Sequence, residues 1–375
     1  MDFALSEEQE ALQGLARQIL EDRATPERLK QVEAGDEGID RDLWSELATA
    51  NLIGACLPEK YGGSGMGLGE LSLLLAEVGR CVAPVPILPT VALGALPIAE
   101  FGTEAQRERW LPRVANGEIF LTAALQEAAS DDPMRPTTTV ERTAAGWRLT
   151  GEKICVPLGP LAERVLVAAR VAAGDVGIFL LDASSPRVSC ELQDATNAEP
   201  QYRLRFDAVE LGDEDVLCEP GAAARDALEW ITLRASVALC AVQSGVAERA
   251  LRITADYTTE RKQFDRPIGS FQAVHQRAAD AYIDVEAMRL TLWQAVSRLE
   301  RGEDAAASVR VAGFWACEGG NRVVFAAQHL HGGIGLDLDY PVHRYYLWAR
   351  QHSLMLGGAE LELERLGEQI ETLPL

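Results

Sequence analysis

The chain has 375 residues, 57 of them acidic and 35 basic, for a formal net charge of −22. Nucleic-acid binding needs clustered Lys and Arg to displace phosphate counterions, so this balance excludes that class of partner. With 47% apolar and 25% charged residues the composition is globular, and the length points to two or three domains. Seven Cys (56, 81, 155, 190, 218, 240 and 317) are scattered without a C-x-x-C pair or a Cys/His cluster. They read as reduced thiols, and neither a disulfide framework nor a metal site is expected.

In chain order, the opening MDFALSEEQEAL places carboxylates where a secretory leader carries Lys or Arg. It reads as a helix start, with Ser6 and Gln9 at capping-box spacing and an apolar stripe of Leu12, Leu15, Ile19 and Leu20. The glycine-rich run YGGSGMGLG follows no strand and precedes no Lys-Ser/Thr, so a turn is favoured over a phosphate cradle. The most apolar stretch, Val82 to Ala99, contains Pro84, Pro86, Pro89 and Pro97 and reads as an ordered loop rather than a membrane span.

From about 119 to 221 the pattern alternates. WRLTGEK, RVLVAARV, VGIFLLDA, VSCELQ and YRLRFDAVEL are short β-type runs divided by turn residues, as in a compact barrel or sandwich. Helical periodicity then returns over Ala222–Tyr257, Phe271–Arg301 with Gly302 in the stop position, Asp304 to about Leu330, and Tyr340 to about Glu371. These four predict a bundle. The expected fold is α+β and mostly α: a helical domain over 1–118, a β-domain over 119–221 and a four-helix bundle over 222–375.

PEKYGGSGMG (58–67) with EVGR (77–80), ERKQFDRPIGSFQ (260–272) and HGGIGLDLDYPVHR (331–344) occur in this order along the helical, β and helical segments. With these segments the whole chain resembles the acyl-CoA dehydrogenase family. The resemblance implies removal of the α-proton of an acyl thioester by a Glu and passage of the β-hydrogen as hydride to FAD. It also implies an acyl-CoA substrate and an electron-transfer flavoprotein as acceptor.

A general base next to a thioester must be a positioned carboxylate in a dry site. Counted from Tyr340-Pro341, the family's usual Glu falls on Leu356, followed by Gly357 and Gly358; counted back from Arg261, its alternative place falls on Ala235. Both positions are apolar. Glu360, four residues beyond Leu356, would share that face of one continuous helix but sit about 6 Å along the axis. That is too far for proton transfer that tolerates no ångström-scale error, so it reads as a helix-face carboxylate before it reads as a weak candidate base. Glu229, six residues before Ala235, falls on another face.

The flavin segments of the family divide unevenly. The segment that carries two glycines in the family reads Leu125-Gln126-Glu127-Ala128-Ala129-Ser130-Asp131, without either. In GEKICVPLG, Cys155 replaces a stacking Trp and Pro157 a Thr, which removes an indole, a hydroxyl and an N–H. The segments that reach a neighbouring subunit's FAD are largely kept. Arg261 matches the residue on the pyrophosphate, Gln263, Phe264, Ile268 and Gln272 match adenosine-side contacts, and Gly332 and Gly333 match the backbone approach to the diphosphate. Asp265 stands where Gly is usual and His329 where Gln is usual.

The resemblance leaves three functions open. The first is the base-less subunit of an α2β2 dehydrogenase of the kind that shortens steroid side chains, sharing FAD with a Glu-bearing paralogue. The second is a self-sufficient flavoenzyme, with a relocated base or as a flavin monooxygenase; the third is a flavin-free scaffold. His331, His343 and His352 read as structural rather than metal-binding, and a cytoplasmic protein without a membrane partner is expected.

Overall fold

The structure is a computed structural model that describes residues 4–371. The opening Met1–Phe3 lies outside the described residues. The chain folds as two compact units. One contains the residues up to Ala34, Gly67–Pro84 and Ser236 onward; the other contains Gly35–Met66 and Val85–Ala235.

Helices α1 (Glu7–Arg23), α2 (Pro26–Glu33), α3 (Arg41–Thr49), α4 (Leu68–Cys81), α5 (Leu96–Phe101) and α6 (Glu104–Ala115) precede the sheet. The capping box of α1 forms, with Gln9 N–H donating to Ser6 Oγ at 3.2 Å and Ser6 N–H donating to Gln9 Oε1 at 3.0 Å. The buried stripe of α1 runs Leu12, Ala16, Leu20 and leaves Leu15 exposed, so the expected stripe is corrected to a strict four-residue spacing. It faces α4, whose buried Glu77 receives Arg17 Nη2 at 2.6 Å and Gln13 Nε2 at 2.9 Å.

The proline-rich stretch is not the loop expected. Leu88–Ala95 forms a π-type helix that runs into α5. Pro89 falls in the first turn of the π-type helix, where a missing N–H deprives no carbonyl of its donor; Pro97 lies further along the same continuous helix, where the preceding turn goes without that donor.

The sheet contains β1 (Leu121–Ala124), β2 (Thr139–Thr143), β3 (Gly146–Pro157), β4 (Arg164–Arg170), β5 (Val176–Leu181), β6 (Val188–Gln193), β7 (Gln201–Leu211) and β8 (Val216–Cys218). Their order is β6-β7-β3-β2-β4-β5-β8, with β1 parallel to β4. Strand β3 loses register against β7 between Lys153 and Val156, a bulge that re-aims the side chains at its end.

Helix α7 (Ala222–Glu260) begins in the sheet-bearing unit and ends in the other. It is long and apolar enough to cross a membrane, but 72% of its most apolar window is buried within the protein, as in a core helix. The short strands β9 (Lys262–Gln263) and β10 (Arg266–Pro267) form a hairpin, followed by α8 (Gln272–Glu300) and α9 (Ala306–His331). Buried Gln243 ties helices together by donating to the carbonyls of Ala316 at 3.1 Å and Ala349 at 3.2 Å.

The expected fourth long helix is two, α10 (Val342–Leu356) and α11 (Ala359–Glu371). Gly357 and Gly358 separate them at φ +94° and +87°, a left-handed backbone that a side chain resists.

Candidate functional site

Arg261 opens the β9–β10 hairpin, its N–H donating to the Tyr257 carbonyl at 2.9 Å at the end of α7. The two turn residues, Phe264 and Asp265, sit at φ +53° and +62°, the backbone pattern of a type I′ turn. This explains why Gly suits position 265, and why Asp, which tolerates left-handed backbone, can replace it. Phe264 is 86% exposed, its ring meeting Phe271 edge-on. Arg261, Gln263, Asp265 and Gln272 are exposed as well, and Ile268 is half-buried.

Arg261 has no ion-pair partner among the described residues. Helix α9 finishes at His331, and Gly332 turns the chain at φ +62°. A Cβ placed on Gly332 or Gly333 would meet nothing within 4 Å, so their outer faces are open. His329 is exposed on the last turn of α9.

His331, between these features, is buried. Its Nδ1 lies 2.8 Å from the Ala327 carbonyl, which only accepts, so Nδ1 carries the proton. Its Nε2 lies 3.2 Å from the Tyr340 hydroxyl, which therefore donates to it. The ring stacks on Tyr257 at 4.4 Å. Burial pushes the imidazole below the usual histidine range, against the Ala327 hydrogen bond, and keeps it neutral.

The two positions that the resemblance points to for the base are apolar and buried. Leu356 is 5% exposed at the end of α10, and Ala235 is buried on α7. Glu360 does not share a helical face with Leu356, because the Gly357–Gly358 break lies between them; it is exposed in the first turn of α11. Glu229 is exposed on α7. The buried carboxylate of this region is Glu362, which burial pushes up despite Arg310 and Arg365 beside it. It pins α11 to α9 where Gly313 leaves room for it.

In the sheet-bearing unit, the two degraded flavin segments lie side by side, with Ile154 N–H donating to the Gln126 carbonyl at 3.0 Å. Beneath them Lys153 Nζ meets Glu127 Oε1 at 2.7 Å, with side chains 1% and 3% exposed. Thr137 donates N–H and hydroxyl to the same carboxylate at 2.5 Å each, and Thr138 N–H donates at 3.1 Å.

Burial pushes the Glu127 carboxyl up, but Lys153 and the two threonines outweigh it and hold it at about 2. On Lys153 burial acts the other way, pushing the ammonium down against the pull of Glu127. Next along the bulge, Cys155 sits at φ +50° with its N–H donating to Gln193 Oε1 at 2.8 Å. Each of these donors is spent within the chain. Nothing in the sequence marks this pair, since the two residues are far apart and each reads alone as a surface charge.

Residues 6–118 match the family model for the acyl-CoA dehydrogenase N-terminal domain and residues 232–371 the model for its C-terminal domain. The chain belongs to the acyl-CoA dehydrogenase family. Acyl-CoA dehydrogenase FadE27 of Mycobacterium tuberculosis is 38% identical over 384 residues, with all of both chains covered. A chain of a Tcur3481-Tcur3483 steroid ACAD variant is 49% identical with a TM-score of 0.91, covering 97% of this chain and 98% of that one. A chain of the ChsE4-ChsE5 complex from Mycobacterium tuberculosis is 37% identical with a TM-score of 0.94 over all of both chains.

Acyl-CoA dehydrogenases are FAD-binding proteins, and the two halves of this chain fit that cofactor differently. Exposed, unpaired Arg261 offers a guanidinium fork to a diphosphate, and the open Gly332–Gly333 backbone offers close approach. The β-domain segments offer less, because Cys155 and Pro157 supply no stacking ring and the local donors already have partners.

Proposed function

We propose that this chain is the base-less subunit of a heteromeric FAD-dependent acyl-CoA dehydrogenase, paired with a Glu-bearing paralogue in an α2β2 assembly. One observation carries the reading: exposed Arg261 and the open Gly332–Gly333 backbone stand in a chain with buried Leu356 and Ala235 at the positions where the resemblance expects the base. When bound, FAD supplies the hydride acceptor for α,β-dehydrogenation. Removal of the α-proton falls to the paralogue, since this chain has no carboxylate at either family position.

The chain's own contribution is to hold the partner's cofactor. Arg261 neutralises the diphosphate, Gln263, Gln272 and His329 offer hydrogen bonds around it, and Phe264 and Ile268 give apolar contact on the adenosine side. Gly332 and Gly333 let the backbone come close. The likeness to a Tcur3481-Tcur3483 steroid ACAD and to the ChsE4-ChsE5 complex supports a heteromer, and the small Cys155 in place of an indole favours a bulky acyl-CoA such as a steroid side-chain thioester. The complex works in the cytoplasm and passes electrons to an electron-transfer flavoprotein.

Co-expression with the paralogue tests the reading. The mixed complex should hold one FAD per two chains and turn over acyl-CoA, while the lone chain holds none. One FAD per lone chain with turnover would assign it instead as a self-sufficient enzyme.

A further inference from the structure

Two segments of this chain face the proposed cofactor, the β9–β10 hairpin and the Gly332–Gly333 turn, and one buried side chain touches the roots of both. His331 immediately precedes Gly332. Its ring stacks at 4.4 Å on Tyr257, and the Tyr257 carbonyl accepts the Arg261 N–H at 2.9 Å. Its Nε2 accepts the Tyr340 hydroxyl at 3.2 Å, which ties in the segment that leads to α10. Tyr257 and Tyr340 also meet each other edge-on at 6.2 Å. Both ring nitrogens are therefore used, one to fix the tautomer against Ala327 and one to hold Tyr340.

We propose that His331 is a positioning residue for flavin binding: with Tyr257 and Tyr340 it fixes the spacing between Arg261 and the Gly332–Gly333 backbone. This rests on the reading of those residues as the cofactor-facing half. His331 itself contacts no cofactor. It acts because a diphosphate held at once by a guanidinium fork and by backbone N–H groups demands that the two stay at one separation, and an error of an ångström costs binding. A mobile hairpin would still present Arg261, but at the entropic cost of ordering it on each binding event.

The test uses the mixed complex with its Glu-bearing partner and measures FAD dissociation by the recovery of free-flavin fluorescence, together with turnover against added FAD. His331→Phe keeps a stacked ring and removes both hydrogen bonds; Tyr340→Phe removes one hydroxyl at a half-buried position and is the milder change. Tyr340→Phe should weaken FAD binding roughly fivefold, the worth of one buried hydrogen bond, and His331→Phe by more than that, with the loss in half-saturating FAD rather than in kcat.

In an Arg261→Ala background, His331→Phe should add less than twofold, since its effect passes through Arg261. Wild-type FAD affinity in both single variants, or full additivity with Arg261→Ala, would overturn the proposal. If Arg261→Ala itself leaves FAD affinity unchanged, the reading of the cofactor-facing half falls, and the positioning role with it.

Discussion

The hairpin with its glycine turn and the bulged end of β3 carry matching parts of one family site, yet they spend their polar groups in opposite ways. At the first, Arg261 is exposed and unpaired and the glycines face open space. At the second, Glu127 is surrounded by Lys153, Thr137 and Thr138, and the Cys155 N–H is taken by Gln193. A region that keeps its donors free is built to meet something outside the chain. A region that pairs them internally is built to hold its own shape. On the proposed function, the β-domain keeps its architecture by these internal pairs whether or not it meets a flavin.

The largest test of this contrast is Lys153→Met. Removing one partner of a buried pair leaves the other charge uncompensated, so the sheet-bearing unit should lose about 3–5 kcal/mol of stability by denaturant unfolding. FAD affinity per surviving complex should stay the same; a matching loss of FAD would mean that the β3 bulge serves the cofactor after all. Arg261→Ala should do the reverse in the mixed complex. FAD binding should weaken roughly a hundredfold, as a charge-assisted fork is lost, with the melting temperature of the flavin-free chain unmoved.

Acid gives a third handle. Glu127 has a folded value of about 2 against an ordinary 4.5, so it stabilises the fold fully above the ordinary value. That contribution is lost as pH falls from about 4.5 toward 2, and the acid loss should be absent from a Lys153→Met, Glu127→Leu double variant. The smallest effect belongs to the turn. Asp265→Gly relieves a positive φ and removes a negative charge beside a diphosphate, so it should stabilise the hairpin by about 1 kcal/mol or less and tighten FAD binding. Weaker FAD binding in that variant would show that Asp265 has a favourable contact of its own.

What could be read from sequence was what is local. Ser6 with Gln9, the alternating runs that became β3 to β7, and Gly302 after α8 each carry their signal within a few residues. The break at Gly357–Gly358 was hidden because apolar periodicity continues across it, and only the positive φ at both glycines shows that Glu360 starts a separate helix. The π-type helix at Leu88–Ala95 was read as a loop because proline at the start of a helix and proline in a loop look alike in sequence.

Lys153 with Glu127, and His331 between Tyr257 and Tyr340, are contacts between distant residues and needed the fold. Leu356 and Ala235 were reached by counting along the motifs that carry the family resemblance, and the fold adds that both side chains are buried.

The most direct test of the central claim is the FAD content of the purified chain, alone and after co-expression with a Glu-bearing paralogue. The expected result is no bound flavin in the lone chain and one FAD per two chains in the mixed complex. A full complement of one FAD per chain in the lone protein would contradict it.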